Sequence, residues 1–190
     1  MSPSINDRGH PPRSCLIGVR GVGKSTLIRA LLPQLPHLDY VVGSAILREL
    51  AGDDFARFDH LPAARKEHLR REAIAVMEER QRRSGRPLVC DGHTALLDES
   101  TGRVGPVFTE RDCRFFDALL LLELPAEEVL TRRRADPHKR RSLDLAVIRA
   151  EIAGEREESA RLARTYGMAL HLLPTGEDAA RRRLLELLAP

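Results

Sequence analysis

Short apolar runs alternate with longer stretches of helical periodicity along the chain. SCLI (14–17) is an apolar run closed by Gly18, the pattern of a strand buried on both faces. From Lys24 onward Leu27, Ile28, Leu31 and Leu35 recur at helical spacing, until Pro33 and Pro36 end the pattern. DYVVG (39–43) predicts a second strand and SAILREL (44–50) a helix. Residues 62–83 predict a long, very polar helix, opened by Pro62 and closed near Gly85. PLVCD (87–91) reads as a third strand, and HTALLDESTGRVGPVFT (93–109) as a hairpin or loop with STGR at its tip. DALLLLELP (117–125) is a fourth strand and AEEVLTRR (126–133) a helix. ADPHKRRS (135–142) is a basic, helix-breaking connection before a helix over 143–166. MALHLL (168–173) and GEDAARRRLLELLA (176–189) complete the series as a fifth strand and a last helix. Strands alternating with helices predict an α/β fold: three layers, a five-stranded parallel sheet with helices on both faces.

Composition narrows the picture a little. A chain of 190 residues suits one domain, read here as 14–190 behind a flexible leader, 1–13, that lacks the apolar core of a secretory signal. The net charge of +3 favours phosphate-bearing partners only weakly, and 4% aromatics with no Trp argue against a stacking platform for single strands. Nucleic acid is therefore not the expected partner. No stretch approaches the roughly 20 apolar residues that span a bilayer, so no membrane partner is expected either. Cys15, Cys90 and Cys113 show no CxxC spacing. They read as buried, reduced thiols, which suits a cytoplasmic protein.

Candidate chemistry begins at GVRGVGKST (18–26), where Gly18, Gly23, Lys24 and Ser25 fit G-x-x-x-x-G-K-[ST]. Gly21 and Gly23 let the backbone turn its N–H groups inward around phosphate oxygens, and the helix opening at Lys24 adds its positive end. Only Lys24, Lys66 and Lys139 are lysines among 31 basic side chains. A lysine here supplies a compact point charge to the β/γ-phosphates, which a planar guanidinium imitates poorly. Ser25 offers a hydroxyl to Mg²⁺, and Val22 and Thr26 complete the stretch. The pattern predicts a nucleoside triphosphate site. A dinucleotide fingerprint is not met, because Thr26 stands where its last glycine belongs.

Asn6 is the only asparagine, which rules out a guanine-reading NKxD motif. LLDES (96–100) resembles an ATPase acidic box, but it follows His93-Thr94 and precedes a turn signal, which favours a loop. Asp91, at the carboxyl end of its strand, is the better candidate to orient Mg²⁺; a surface turn before Gly92 is the plainer reading. RRRADPHKRR (132–141) gathers five arginines and a lysine. It reads as a lid over transferring phosphates, or as a solvated or nucleic-acid-binding face. Gly43 and Arg48 could seat a second phosphate group. Arg156 falls with Ile148, Ile152, Ala163 and Tyr166 on an apolar stripe, where its partner is a structural Glu or a substrate phosphate.

From about Ser14 onward the chain resembles the archaeal-type adenylate kinases, a branch of the nucleoside monophosphate kinases in the P-loop NTPase superfamily. The resemblance rests on GVRGVGKST, VVGSAILREL (41–50), the long helix after FDHLP (58–62), LVCDGHT (88–94), LLLLELPAEEVLTRRRAD (119–136) and KRRSLD (139–144). It implies ATP as phosphoryl donor, AMP as acceptor and Mg²⁺ as the metal, with homo-oligomers among the family. It further implies Asp91 beside the magnesium and His93 facing the acceptor nucleotide. It sets an acceptor segment at about 40–85 and a short lid at about 134–143, with Arg132, Arg140 and Arg141 as phosphate clamps. The lid lacks cysteines, unlike zinc-binding lids, and Gly43-Ser44 replaces the Gly-Asp of long bacterial enzymes. Two rivals stay open. One is a kinase for a nucleoside or small hydroxyl metabolite, with Asp91 or His93 as base. The other is a regulatory ATPase or nucleic-acid-associated module.

Overall fold

The computed structural model describes residues 6, 9–98, 101–136 and 141–189. In chain order the elements are β1 (Arg13–Ile17), α1 (Lys24–Leu31), β2 (Asp39–Val42), α2 (Gly43–Ala51), α3 (Ala63–Ser84), β3 (Leu88–Asp91), β4 (Ala95–Asp98) and β5 (Arg103–Pro106). There follow α4 (Glu110–Phe115), β6 (Ala118–Leu121), α5 (Ala126–Arg134), α6 (Leu145–Tyr166), β7 (Ala169–Leu172) and α7 (Glu177–Leu188). Five strands form one parallel sheet in the order β2-β3-β1-β6-β7, and β4 pairs antiparallel with β5 outside it.

The alternation along β1 explains the layering. Leu16 packs with Ile28, Leu31 and Leu184 on one face, while Cys15 and Ile17 pack with Ile74, Met77 and Phe115 on the other. A strand with apolar side chains on both faces needs cover on both, which α1 and α7 provide on one side and α3 and α4 on the other. Described parts of segment 1–13 are tied to this sheet: Asn6 Nδ2 donates to Asp117 at 2.7 Å, and Leu88 N to the Pro12 carbonyl at 2.9 Å.

All five expected sheet strands form. Within 93–109, β4 and β5 pair antiparallel, which puts Leu96, Leu97 and Asp98 outside the parallel sheet; Ser100 of the expected tip lies outside the described residues. α4 was not anticipated, although Thr109 and Asp112 cap it reciprocally, with Thr109 N donating to Asp112 Oδ2 at 2.7 Å.

The chain leaves β1 toward β2 on one side, and leaves β3 toward β6 on the other. The carboxyl ends of β1 and β3 consequently open into a crevice, where such sheets hold ligands. The hairpin is held over this crevice by α6. A Cβ at Gly154 would lie 2.5 Å from Val104 Cγ1. Gly154→Ala, which in an exposed helix would gain up to about 1 kcal/mol, is expected instead to cost about 1–3 kcal/mol by pushing β5 off α6. Denaturant melts of the single variant and of Gly154→Ala/Val104→Ala check this; the second substitution should recover most of the loss.

Candidate active site

Between β1 and α1 the backbone makes an anion cradle. Gly21 has φ 88° and Gly23 φ 105°, the left-handed region that glycine enters without strain. α1 begins with no side-chain cap and no acid in its first turn, so its leading N–H groups and positive end are left for an anion. Two loop carbonyls are turned outward: Arg133 Nε donates to the Arg20 carbonyl at 3.0 Å and Arg132 Nη1 to that of Val22 at 2.7 Å. A trans peptide points its C=O and N–H in opposite directions, so the N–H groups of Gly21 and Gly23 face away from those arginines. At Gly18 a Cβ would sit 2.2 Å from the Leu122 carbonyl oxygen, so the loop leaves β1 only as glycine.

Lys24, 6% exposed, donates from Nζ to the Gly18 carbonyl at 2.6 Å. The same Nζ lies 3.8 Å from Asp91 Oδ1 and 3.5 Å from His93 Nε2. Burial pulls its ammonium below the ordinary lysine range, opposed by the charges of Asp91 and Glu155. Asp91 ends β3 opposite Leu16 of β1 and Val42 of β2, and is 7% exposed. Ser25 donates its hydroxyl to Asp91 Oδ2, which the Tyr40 hydroxyl approaches at 3.4 Å.

Among the described residues no three His, Cys, Asp or Glu side chains converge on one point. One carboxylate beside one hydroxyl is a hard-oxygen pair for a cation that takes its other ligands from phosphate and water. That is the habit of Mg²⁺, and the residues fit it.

The crevice continues into a cavity of about 1150 Å³, lined at one end by loop residues 21–26 with Arg132 and Arg141. At the other end stand Gly43 and Arg48 of α2, Arg70 of α3, and the rings of Phe55, Phe58 and Phe108. The Arg48 guanidinium lies 4.9 Å from the Phe55 ring centre and that of Arg70 5.9 Å from Phe58's. Neither makes a side-chain hydrogen bond or a close ion pair among the described residues.

His93 lines the same cavity, two residues after Asp91. Burial, then the charges of Lys24 and Arg20, push its imidazole well below the ordinary histidine range. Behind it α6 buries the line Ile148, Glu151, Glu155, Ser159 and Leu162. Glu151 meets the buried Arg133, Nη2 to Oε2 at 2.8 Å. The N–H vectors point off that line, so the contact is an ion pair rather than an aligned hydrogen bond. Burial pushes the Glu155 carboxyl up, against the Ala95 N–H, the Lys24 charge and the N–H groups of Thr94 and Gly18.

Gly21, Val22, Gly23, Lys24, Ser25 and Thr26 thus meet Asp91, His93, Gly43 and Arg48 around one space. Gly18 anchors the loop from below. Arg132 ties to Val22 and to Glu128 at 2.8 Å, and Arg141 Nη1 stands 3.9 Å from Asp136. Arg140 and the rest of 137–140, inside the expected lid, lie outside the described residues. Arg156 is corrected: it is 63% exposed, paired with Glu123, and away from the cavity. At 3.6 residues per turn it sits about a quarter-turn from the buried line of α6, so the structural Glu is its partner.

The fold and this site define a P-loop protein with the kinase type of sheet. Residues 17–149 match the sequence profile of the AAA domain family AAA_17, and the chain belongs to that family. A sequence comparison with curated proteins finds no significant match. Among solved structures, shikimate kinase from Bacteroides thetaiotaomicron is similar at TM-score 0.59 and 17% identity, covering 94% of this chain and 99% of that one. A sugar kinase from Janibacter sp. HTCC2649 follows at 0.57 and 14%, covering 94% and 96%. A chain of the Pnkp1/Rnl/Hen1 RNA repair complex matches at 0.55 and 16% over 82% of this chain, which spans only 48% of that one. At these identities the likeness is one of fold. Among the described residues no helix is long and apolar enough to cross a membrane.

Proposed function

We propose that the protein is an ATP-dependent phosphotransferase that moves the γ-phosphoryl group of Mg-ATP to a nucleoside monophosphate, AMP first. One observation carries the reading: the loop ammonium of Lys24 and the Ser25–Asp91 pair open into the same cavity as Arg48 and Arg70. The first group suits a polyphosphate. The second, two guanidiniums beside three phenylalanine rings, suits an acceptor with an anionic group and a flat base. Lys24, the loop N–H groups and Arg141 bring positive charge to where phosphate charge develops, while Arg132, bound to the Val22 carbonyl and Glu128, braces the loop. Ser25 and Asp91 would hold Mg²⁺, which when bound neutralises phosphate charge. A phosphate acceptor is already anionic, so the reaction needs no general base. The three free, buried thiols suit a reducing, cytoplasmic setting.

A second reading keeps the donor site and gives the acceptor a hydroxyl. It is favoured by the kinase folds that the chain is similar to, since shikimate and sugars are hydroxyl compounds. Asp91 or His93 would then take the proton. Phosphoryl transfer assayed across AMP, CMP, UMP, GMP, nucleosides and shikimate separates the two. The proposal predicts ADP formation that depends on a nucleoside monophosphate and falls about 10²–10³-fold in Asp91→Asn, with a raised magnesium requirement. Turnover only with hydroxyl acceptors would replace it by the second reading.

A further inference from the structure

The phosphate loop carries a charge that neither its form nor its packing requires. Arg20 occupies one of the open positions of G-x-x-x-x-G-K-[ST], where the turn sets no side-chain type. Its carbonyl accepts from Arg133 Nε at 3.0 Å, which any residue at 20 would allow. Its side chain belongs to a partly buried residue that lines the cavity. Among the described residues that side chain makes no hydrogen bond, ion pair or ring contact.

The other cations at the loop each have an acid. Lys24 faces Asp91 at 3.8 Å, Arg132 faces Glu128 at 2.8 Å, Arg133 faces Glu151 at 2.8 Å and Arg141 faces Asp136 at 3.9 Å. The nearby Glu155 is engaged by the N–H groups of Gly18, Thr94 and Ala95. Arg20 is left with neighbours of its own sign. Two residues before it, the Gly18 carbonyl holds the Lys24 ammonium; one residue after it, Arg141 Nη1 stands 3.1 Å from where a Cβ on Gly21 would lie. A guanidinium in this company raises the positive potential of the site and stabilises nothing until an anion arrives. Its charge acts on both His93 and Arg141. That places it on the side of the loop where Lys24 and His93 meet at 3.5 Å, and where the chain turns into the hairpin of the acceptor end.

We propose that Arg20 is a further catalytic residue, a guanidinium that the loop itself holds to the phosphoryl group in flight between donor and acceptor. The role rests on the kinase reading. In that transfer the bond from the γ-phosphorus to the oxygen of ADP breaks, the electron pair staying on ADP, as a bond from an acceptor oxygen forms. Charge is spread over the three equatorial oxygens. Two parallel N–H groups of a planar guanidinium can meet two of those oxygens, a contact that the point charge of Lys24 does not make. An interaction stronger in the transition state than in the bound substrate raises kcat and leaves KM nearly alone.

Calorimetric titration with Mg-ADP, alone and with aluminium fluoride standing in for the phosphoryl in flight, reads this contact apart from turnover. Arg20→Met should bind Mg-ADP within about twofold of the wild type, and the fluoroaluminate complex at least about tenfold more weakly. In acceptor-dependent ADP formation its kcat should fall about 10²–10³-fold, with KM for ATP changed less than about threefold. It should melt with the wild type, since the fold loses no contact. Arg20→Lys keeps the charge without the fork and should stay at least about tenfold below the wild type in kcat. Unchanged fluoroaluminate affinity, an equal loss for Mg-ADP alone, or unchanged kcat overturns the proposal. So does an Arg20→Met chain that fails to fold, because the side chain would then have a structural task. A wild type that transfers phosphate to no acceptor, yet binds fluoroaluminate through Arg20, overturns the acceptor reading and leaves the contact standing. A wild type that takes up no Mg-ADP overturns both.

Discussion

Lys24→Ala lowers kcat for phosphoryl transfer by about 10³-fold or more and leaves the protein folded. The activity loss follows from position. Lys24 stands at the mouth of β1, its ammonium held by the Gly18 carbonyl and within 3.8 Å of Asp91. The intact fold follows from what stays behind. Asp91 keeps the Ser25 and Tyr40 hydroxyls as partners and borders the open cavity, so it is not left as an isolated buried charge. Stability should change by no more than about 1–2 kcal/mol, since a retained partner spares most of the desolvation cost. Lys24→Arg should fail nearly as badly, because the longer planar fork cannot occupy the place of a compact ammonium under Gly18. ADP-formation assays and circular dichroism melts check both statements. A variant with near-wild-type turnover would show that the loop does not serve as the donor site.

Arg133→Ala is expected to have the largest effect on stability. Arg133 is 3% exposed and makes three contacts: the buried Glu151 at 2.8 Å, and the partly buried carbonyls of Arg20 at 3.0 Å and Ser142 at 2.9 Å. Removing the guanidinium leaves Glu151 charged and unpaired, which typically costs about 3–5 kcal/mol, or about 6–20 °C in melting temperature for a chain of this size. Arg133→Met with Glu151→Leu removes both charges and should recover most of that loss. ATP affinity should not recover, because the Arg20 carbonyl is no longer held outward and the Gly21 N–H loses its fixed direction. Thermal melts and nucleotide titrations of the three proteins test this. Arg133→Ala melting with the wild type would remove the ion pair from the account of the loop.

These two residues differ in how plainly the sequence announces them. Lys24 sits in the G-x-x-x-x-G-K-[ST] spacing, between a glycine and a hydroxyl pair, after an apolar run. The five sheet strands are legible for a related reason: each is a short run with apolar residues on both faces, and a parallel sheet demands that. Arg133 was hidden in a run where Arg132, Arg140 and Arg141 seemed equally good. The distinguishing signal is its place four residues after Val129, on the buried side of α5 with Ala126. Glu151 and Glu155 were missed similarly. Acids on an apolar stripe read as solvated until the structure shows a buried guanidinium for one and three backbone N–H groups for the other. Around α6 the buried line lies about a quarter-turn from the stripe that Ile152, Ala163 and Tyr166 suggest, which leaves Arg156 in solvent beside Glu123. Arg70 gave no local signal, since on a helix as polar as α3 only the packing of α2 and the hairpin makes it face a cavity.

The account stands on phosphate binding at the glycine loop, and isothermal titration calorimetry of Mg-ATP, or a non-hydrolysable analogue, tests that most directly. Wild-type protein should bind one nucleotide per chain in a magnesium-dependent, saturable way, and folded Lys24→Ala should bind it at least about tenfold more weakly. Well-folded wild-type protein that takes up no Mg-ATP, or binds it unchanged without Lys24, would contradict the account.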